Sequence, residues 1–198
     1  SSDELVDPWI AHLRVLLEIY GDSDDQDSMI GISLANYQEY SVNKSIRDLR
    51  EVGGSLLVAP TGTGKTFMGS IIARRLIQMS KVKRIFVIAP SNQILHKWKK
   101  VCLSLRIPFE GYTYAKFQRS SNDDDLIETL GNSLCNDDLV IADECHTIRN
   151  LGSGNAKIMS TIGKPSQNSP LRLFLTATPM SKNLDEINNL LEFTHGNA

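Results

Sequence analysis

The 198-residue chain contains no apolar run near the roughly 18 residues that a membrane-crossing helix needs. It also lacks the charged, apolar and small-residue regions of a secretory signal at its start. A soluble, intracellular protein without membrane contact is therefore expected, with cytoplasm, nucleus and a viral setting left open. Cysteine is scarce: Cys102, Cys135 and Cys145 are odd in number, scattered and without metal-ligand spacing. That argues against a disulfide framework or a cysteine zinc site, and it fits reduced core residues in a reducing compartment. Charge of one sign is missing too. With 21 Lys and Arg against 23 Asp and Glu, the net charge is −2, so contact with a polyanion would need a local patch. No methionine opens the chain, and Ser1-Ser2 reads as a trimmed or excised start. What remains, 41% hydrophobic and 22% charged, suits one α/β domain with a sizeable core.

The most informative stretch is Ala59-Pro60-Thr61-Gly62-Thr63-Gly64-Lys65-Thr66, set between the apolar run Leu56-Leu57-Val58 and a helical pattern that starts at Phe67. Gly62 and Gly64 let the backbone curl with its N–H groups inward, and the helix behind them adds a partial positive charge. Thr61 to Thr66 would thus cradle phosphates, Lys65 would reach the β- and γ-phosphates, and Thr66 would ligate magnesium. The general pattern has Gly where this chain has Ala59, a small departure because the last four residues do most of the cradling.

Before that loop, apolar residues at Leu5, Trp9, Leu13, Leu16, Leu17 and Tyr20 form one helical stripe, followed by a loop holding Asp22, Asp24, Asp25 and Asp27. A calcium site there would lack its closing Glu and central Gly, which favours a solvated loop. A helix is expected from Leu34 to about Val52. Near its start, Tyr37-Gln38 would place a carboxamide on an adenine edge, since Gln offers a donor and an acceptor side by side; the alternative is a helix-start glutamine in solvent.

Beyond the loop, a helix over 67–79, a buried strand over Arg84 to Ala89 and a helix capped by Ser91 are expected. The inner face of that helix is Ile94, Leu95, Trp98, Val101 and Cys102. Lys97, Lys99 and Lys100 surround Trp98, either as a patch for a phosphate backbone or as a solvated face. A strand over 109–114, an amphipathic helix over 122–136, a short helix over 152–162, a polar loop over 163–170, a strand over 171–175 and a last helix over 185–193 complete the pattern.

The second informative stretch is Leu139-Val140-Ile141-Ala142-Asp143-Glu144-Cys145-His146, an apolar strand delivering two carboxylates at its C-terminal end, where α/β folds place ligands. Phosphoryl transfer to water needs both groups: Asp143 to hold magnesium, Glu144 to orient and polarise the water. His146 would sense the γ-phosphate. Thr176 and Thr178, at another strand end, would bond the Asp143-Glu144 segment and couple nucleotide state to a moving surface.

In this order the residues resemble the first RecA-like domain of superfamily 2 helicases and translocases. Tyr37-Gln38 resembles the Q motif, Ala59 to Thr66 motif I, Ala89-Pro90-Ser91 motif Ia, Thr113-Tyr114 motif Ib, Asp143 to His146 motif II in its DExH form, and Thr176-Ala177-Thr178 motif III. Trp98, Arg149-Asn150, and the segment from Leu175 to Phe193 are similar to SWI/SNF-like double-stranded DNA translocases. Against their usual pattern, Ala177 stands for Gly and Cys145 for Ala.

The resemblance implies residues 1–33 as an added helix and acidic loop, and residues 34–198 as a RecA-like ATP-binding domain, a mostly parallel sheet flanked by helices. It implies ATP and Mg²⁺ as cofactors and nucleic-acid contacts at Ser91, Lys97, Thr113, Tyr114 and Arg149. The partner would be double-stranded DNA, bound by a monomer whose second RecA-like domain, absent from these 198 residues, supplies arginine fingers. A strand-separating DNA or RNA helicase is the alternative activity, and a non-hydrolysing, nucleotide-gated scaffold the alternative class.

Overall fold

The computed structural model describes residues 33–119, 133–148 and 169–179, together with helical positions 188, 190 and 191. The expected helices over 3–20 and 152–162, the aspartate-rich loop and most of the helix over 122–136 lie outside these residues, as does Arg149. The chain divides into two compact units, residues 1–40 and 41–198. In the first, residues 33–40 contain the opening of helix α1 (Asn36–Val52). There Gln38 sits at the third helical position and its Oε1 accepts from Ala35 N at 3.0 Å, the returning half of a capping box.

The second unit is built on a five-stranded sheet in the order β1-β5-β4-β2-β3, every pair parallel. The strands are β1 (Gly54–Val58), β2 (Arg84–Ala89), β3 (Glu110–Thr113), β4 (Asp138–Asp143) and β5 (Leu171–Thr176). Parallel strands are covered on both faces and so read as continuous apolar runs. The Ile85 to Ala89 run and all six residues of β4 are buried accordingly. Helices α2 (Lys65–Gln78) and α3 (Asn92–Ser104) pack on each other; α2 also lies on β4 and β5, and α3 on β2 and β3. The short α4 (Tyr114–Arg119) follows β3 directly, and a 3₁₀ turn, Cys145–Ile148, packs on β5. Phe86, Ile88, Val140, Ala142, Phe174 and Tyr114 share one core cluster with Cys145 and Ile148.

These elements match the expected α/β arrangement, with two local departures. The third strand stops at Thr113, because Tyr114 turns into α4. Cys135 is half-buried where a core position was expected; Cys102 and Cys145 are buried, and burial pushes the Cys102 thiol up to about 11.

Because all five strands run one way, their C-terminal ends share one side of the sheet. The pairs Val58↔Thr176 and Asp143↔Leu175 bring the ends of β1, β5 and β4 level there. Ala59 N donates to Thr176 O at 3.0 Å and fastens the start of the phosphate loop to the end of β5.

At the opposite end of β4 the fully buried Asp138 meets the fork of Arg84: Nε to Oδ1 at 2.8 Å and Nη2 to Oδ2 at 2.7 Å. Removing the arginine leaves a buried carboxylate with, among the described residues, only the Cys135 N–H and thiol as donors, though partial exposure of the arginine softens the loss. Arg84→Ala should lower unfolding free energy by about 2 kcal/mol in a urea titration. Arg84→Lys should recover less than half of it, because one ammonium cannot bridge both oxygens. An unchanged urea midpoint in Arg84→Ala would count against this account.

Candidate nucleotide and metal site

The loop between β1 and α2 is shaped by its own backbone. Gly64, the residue before α2, has φ 86°, and Gly62 has φ 85°, the left-handed region that a side chain disfavours. Thr63 Oγ1 donates to Pro60 O at 2.6 Å and tightens the turn, while Thr61 stays exposed. Thr66 is half-buried in the first turn of α2, and its carbonyl accepts from Ser70 Oγ at 2.8 Å. Lys65 is only 8% exposed. Its ammonium donates to Ala59 O at 3.2 Å and lies 3.6 Å from Glu144 Oε1. The phosphate loop and the acidic pair, separated by some 80 positions in the chain, thus meet through Lys65.

From Glu144 the contacts continue into β5. His146 Nδ1 is 3.2 Å from Glu144 Oε2 and 3.2 Å from Thr176 Oγ1. Thr176 Oγ1 also accepts from Thr178 N at 3.1 Å. Lys65, Glu144, His146, Thr176 and Thr178 therefore form one polar chain across three strand ends. Thr176 meets the acidic segment through His146.

A strand sends successive side chains to opposite faces, so Asp143 and Glu144 would ordinarily diverge. Glu144 takes φ 51°, an unusual value for a residue with a side chain, and the backbone reverses into the 3₁₀ turn. Its carboxylate then faces Lys65 and His146, while Asp143 points elsewhere. Asp143 is buried. Its Oδ2 accepts from Trp98 Nε1 at 2.8 Å, its Oδ1 from Glu144 N at 2.9 Å, and its carbonyl from Tyr114 Oη at 2.8 Å. Burial raises the Asp143 carboxyl above its ordinary range, opposed by the Trp98 hydrogen bond; the Glu144 charge raises it further.

The donor set suits magnesium. Thr66 offers a hydroxyl and Asp143 a carboxylate whose two oxygens each retain acceptor capacity, all hard oxygen ligands. Among the described residues a separate group, Cys135, Asp137 and Asp138, also has metal-ligand proximity. Its carboxylates, however, are engaged by Lys83 and Arg84.

The expected nucleic-acid residues are placed unevenly. Ser91 caps α3, its Oγ accepting from Ile94 N at 3.4 Å, and Lys97 is exposed on the same helix. Thr113 is half-buried at the end of β3. The expectation for Tyr114 needs correction: its side chain is buried and its hydroxyl is spent on the Asp143 carbonyl, so it has no surface to offer a polynucleotide. Gln38 belongs to the unit of residues 1–40 and holds the α1 start as described. Sequence reasoning missed Trp98 and Tyr114 as partners of Asp143. The available signal was that a buried indole N–H or phenol must find an acceptor, but nothing in the spacing said which.

The protein-family description "Type III restriction enzyme, res subunit" (ResIII) matches residues 31–181. A curated relative, putative helicase 22 of Sulfolobus islandicus filamentous virus (isolate Iceland/Hveragerdi), is 25% identical over 176 residues. The match covers 78% of this chain but 29% of that protein, so the chain spans under a third of its relative's length. Among solved structures, the Sulfolobus solfataricus SWI2/SNF2 ATPase core in complex with dsDNA superposes with TM-score 0.64 at 17% identity, over 83% of this chain and 36% of that one. The UvsW helicase from bacteriophage T4 superposes with TM-score 0.59 at 14% identity, over 96% and 67%. Both share the fold.

The left-handed Glu144 should cost about 1 kcal/mol, which glycine would relieve. Glu144→Gly is expected to melt about 2–4 °C above Glu144→Gln, a comparison in which both variants lack the carboxylate. Equal melting temperatures would show the turn to be unstrained.

Proposed function

Because the chain belongs to the ResIII family of helicase- and translocase-type ATPase motor domains, we propose that it is the ATP-binding lobe of a motor that moves along double-stranded DNA. The observation that carries the reading is the 3.6 Å approach of the phosphate-loop ammonium, Lys65 Nζ, to Glu144 Oε1 at the end of a different strand. In this reading the backbone of Thr61 to Thr66 cradles the phosphates and Lys65 pairs with the β- and γ-oxygens. Thr66 and Asp143 would hold magnesium, which when bound neutralises charge on the transferring phosphoryl group. Glu144 orients the attacking water and takes its proton at the carboxylate. His146, in contact with Glu144 and Thr176, passes the state of the site to β5 and the Thr176-Ala177-Thr178 turn.

Duplex DNA is favoured because the Sulfolobus solfataricus ATPase core with this fold is a complex with dsDNA, and because Lys97, Lys99 and Lys100 give α3 a local basic patch on a chain of net charge −2. We take residues 34–198 as the domain and 1–33 as an addition to it. A second RecA-like lobe would supply arginine fingers, worth about 10³–10⁵ in rate. These 198 residues alone should therefore bind nucleotide and turn it over slowly.

Lys65→Ala should weaken binding of a fluorescent ATP analogue at least about tenfold, the worth of a charge-assisted contact. In a two-lobed form, Glu144→Gln should keep ATP affinity and lose about 10²–10⁴ of the hydrolysis rate. Unchanged hydrolysis in Glu144→Gln would favour a nucleotide-gated scaffold. Triplex displacement without strand displacement supports duplex translocation; the reverse result favours the strand-separating helicase.

A further inference from the structure

Trp98 is the largest fully buried side chain in the described residues, and it lies on a helix whose other face carries lysines. Its indole touches two elements at once. The N–H donates to Asp143 Oδ2 at the end of β4. The six-membered ring lies over Gly69 of α2, so closely that a Cβ there would fall 2.8 Å from Trp98 Cη2 and 3.1 Å from Leu175 Cδ1. Residue 69 is one helical turn beyond Lys65 and Thr66, and its lack of a side chain is what lets the ring approach the α2 backbone. Trp98 therefore spans the gap between the helix that carries Thr66 and the strand that carries Asp143.

The carboxylate has little freedom left. Glu144 N holds Oδ1, Trp98 holds Oδ2, and Tyr114 Oη holds the carbonyl of the same residue, each from a different segment. With one acceptor site on each carboxylate oxygen occupied, the remaining lone pairs have fixed directions. Groups that orient a metal ligand in this way typically change metal affinity by about 10–100-fold when removed.

We propose that Trp98 is a positioning residue for magnesium: by holding Asp143 through its N–H and α2 through ring contact with Gly69, it sets the separation and orientation of the two oxygen ligands, Thr66 and Asp143. The inference rests on the nucleotide site proposed above and adds a residue outside the motifs that touch the ligand. A tryptophan that merely fills the core would affect folding stability alone, so metal dependence is the readout that discriminates.

The test uses the 198-residue chain and a fluorescent ATP analogue, titrated with Mg²⁺ and in excess EDTA, with melting curves alongside. Trp98→Phe removes the donor, together with the far edge of the indole that meets Gly69. It should raise the half-saturating Mg²⁺ concentration at least about tenfold and leave binding in EDTA unchanged. Gly69→Ala, which displaces the ring and leaves the indole intact, should raise it in the same direction. Superimposable Mg²⁺ titrations in wild type and Trp98→Phe would overturn the proposal. A wild type that binds nucleotide with no Mg²⁺ dependence would overturn the metal site itself, and one that binds no nucleotide the functional reading beneath it. Should Trp98→Phe fail to fold, the wild-type indole proton reports directly: there are two tryptophans, Trp9 and Trp98, and a Trp9→Phe spectrum assigns the signal. The Trp98 N–H resonance should shift when Mg²⁺ is added to the nucleotide-bound chain, and an unmoved resonance would overturn the proposal.

Discussion

A carboxylate almost wholly withdrawn from water must be given donors by the protein, and those of Asp143 come from α3 and from the next peptide unit, while Tyr114 at the start of α4 holds the carbonyl of the same residue. The local fold can be understood as what satisfies that demand. Burial disfavours the charged form, and hydrogen bonds to the oxygens offset that in part. For Trp98 to arrive, α3 must lie close on α2, which Gly69 permits. For Tyr114 to arrive, β3 must end at Thr113 so that its successor can turn under the sheet end. The parallel register then sets Asp143 level with Leu175, beside the strand that ends in Thr176.

The two informative stretches thus differ in how they are held. The phosphate loop is mainly a local device: positive-φ glycines, a Thr63–Pro60 hydrogen bond and the helix that follows shape it, and one distant bond, Ala59 N to Thr176 O, fastens its start. The acidic pair is a long-range device, since one carboxylate is oriented from α3 and the other faces Lys65 of α2 and reaches β5 only through His146. Replacing a loop residue should disturb ligand contact directly, whereas the acidic pair can also be disturbed from a helix that never meets the ligand.

That difference explains what could be read from the chain alone. The buried strands β2 and β4 lie where unbroken apolar runs put them, because a strand covered on both faces leaves that signature. The turn Ala59 to Thr66 is equally legible, its conformation being written in adjacent residues. The helix start at Tyr114 was not: a tyrosine after a strand fits one more strand residue as well as a helix start, and only the Asp143 carbonyl decides between them. The link from Trp98 to Asp143 crosses 45 positions, and a single sequence contains no term for such a pairing. Nor does any local pattern foretell φ 51° at Glu144, a residue with weak preference for that region.

The contact between Lys65 and Glu144 has one more implication, for the order of events at such a site. If a triphosphate binds this loop as proposed, its oxygens would compete for the Lys65 ammonium with Glu144 Oε1, 3.6 Å away. Were they to draw it off, Glu144 would lose its cation and regain an open carboxylate oxygen. Under the proposed function, such an exchange would couple the loading of the loop to the freedom of the Glu144 carboxylate.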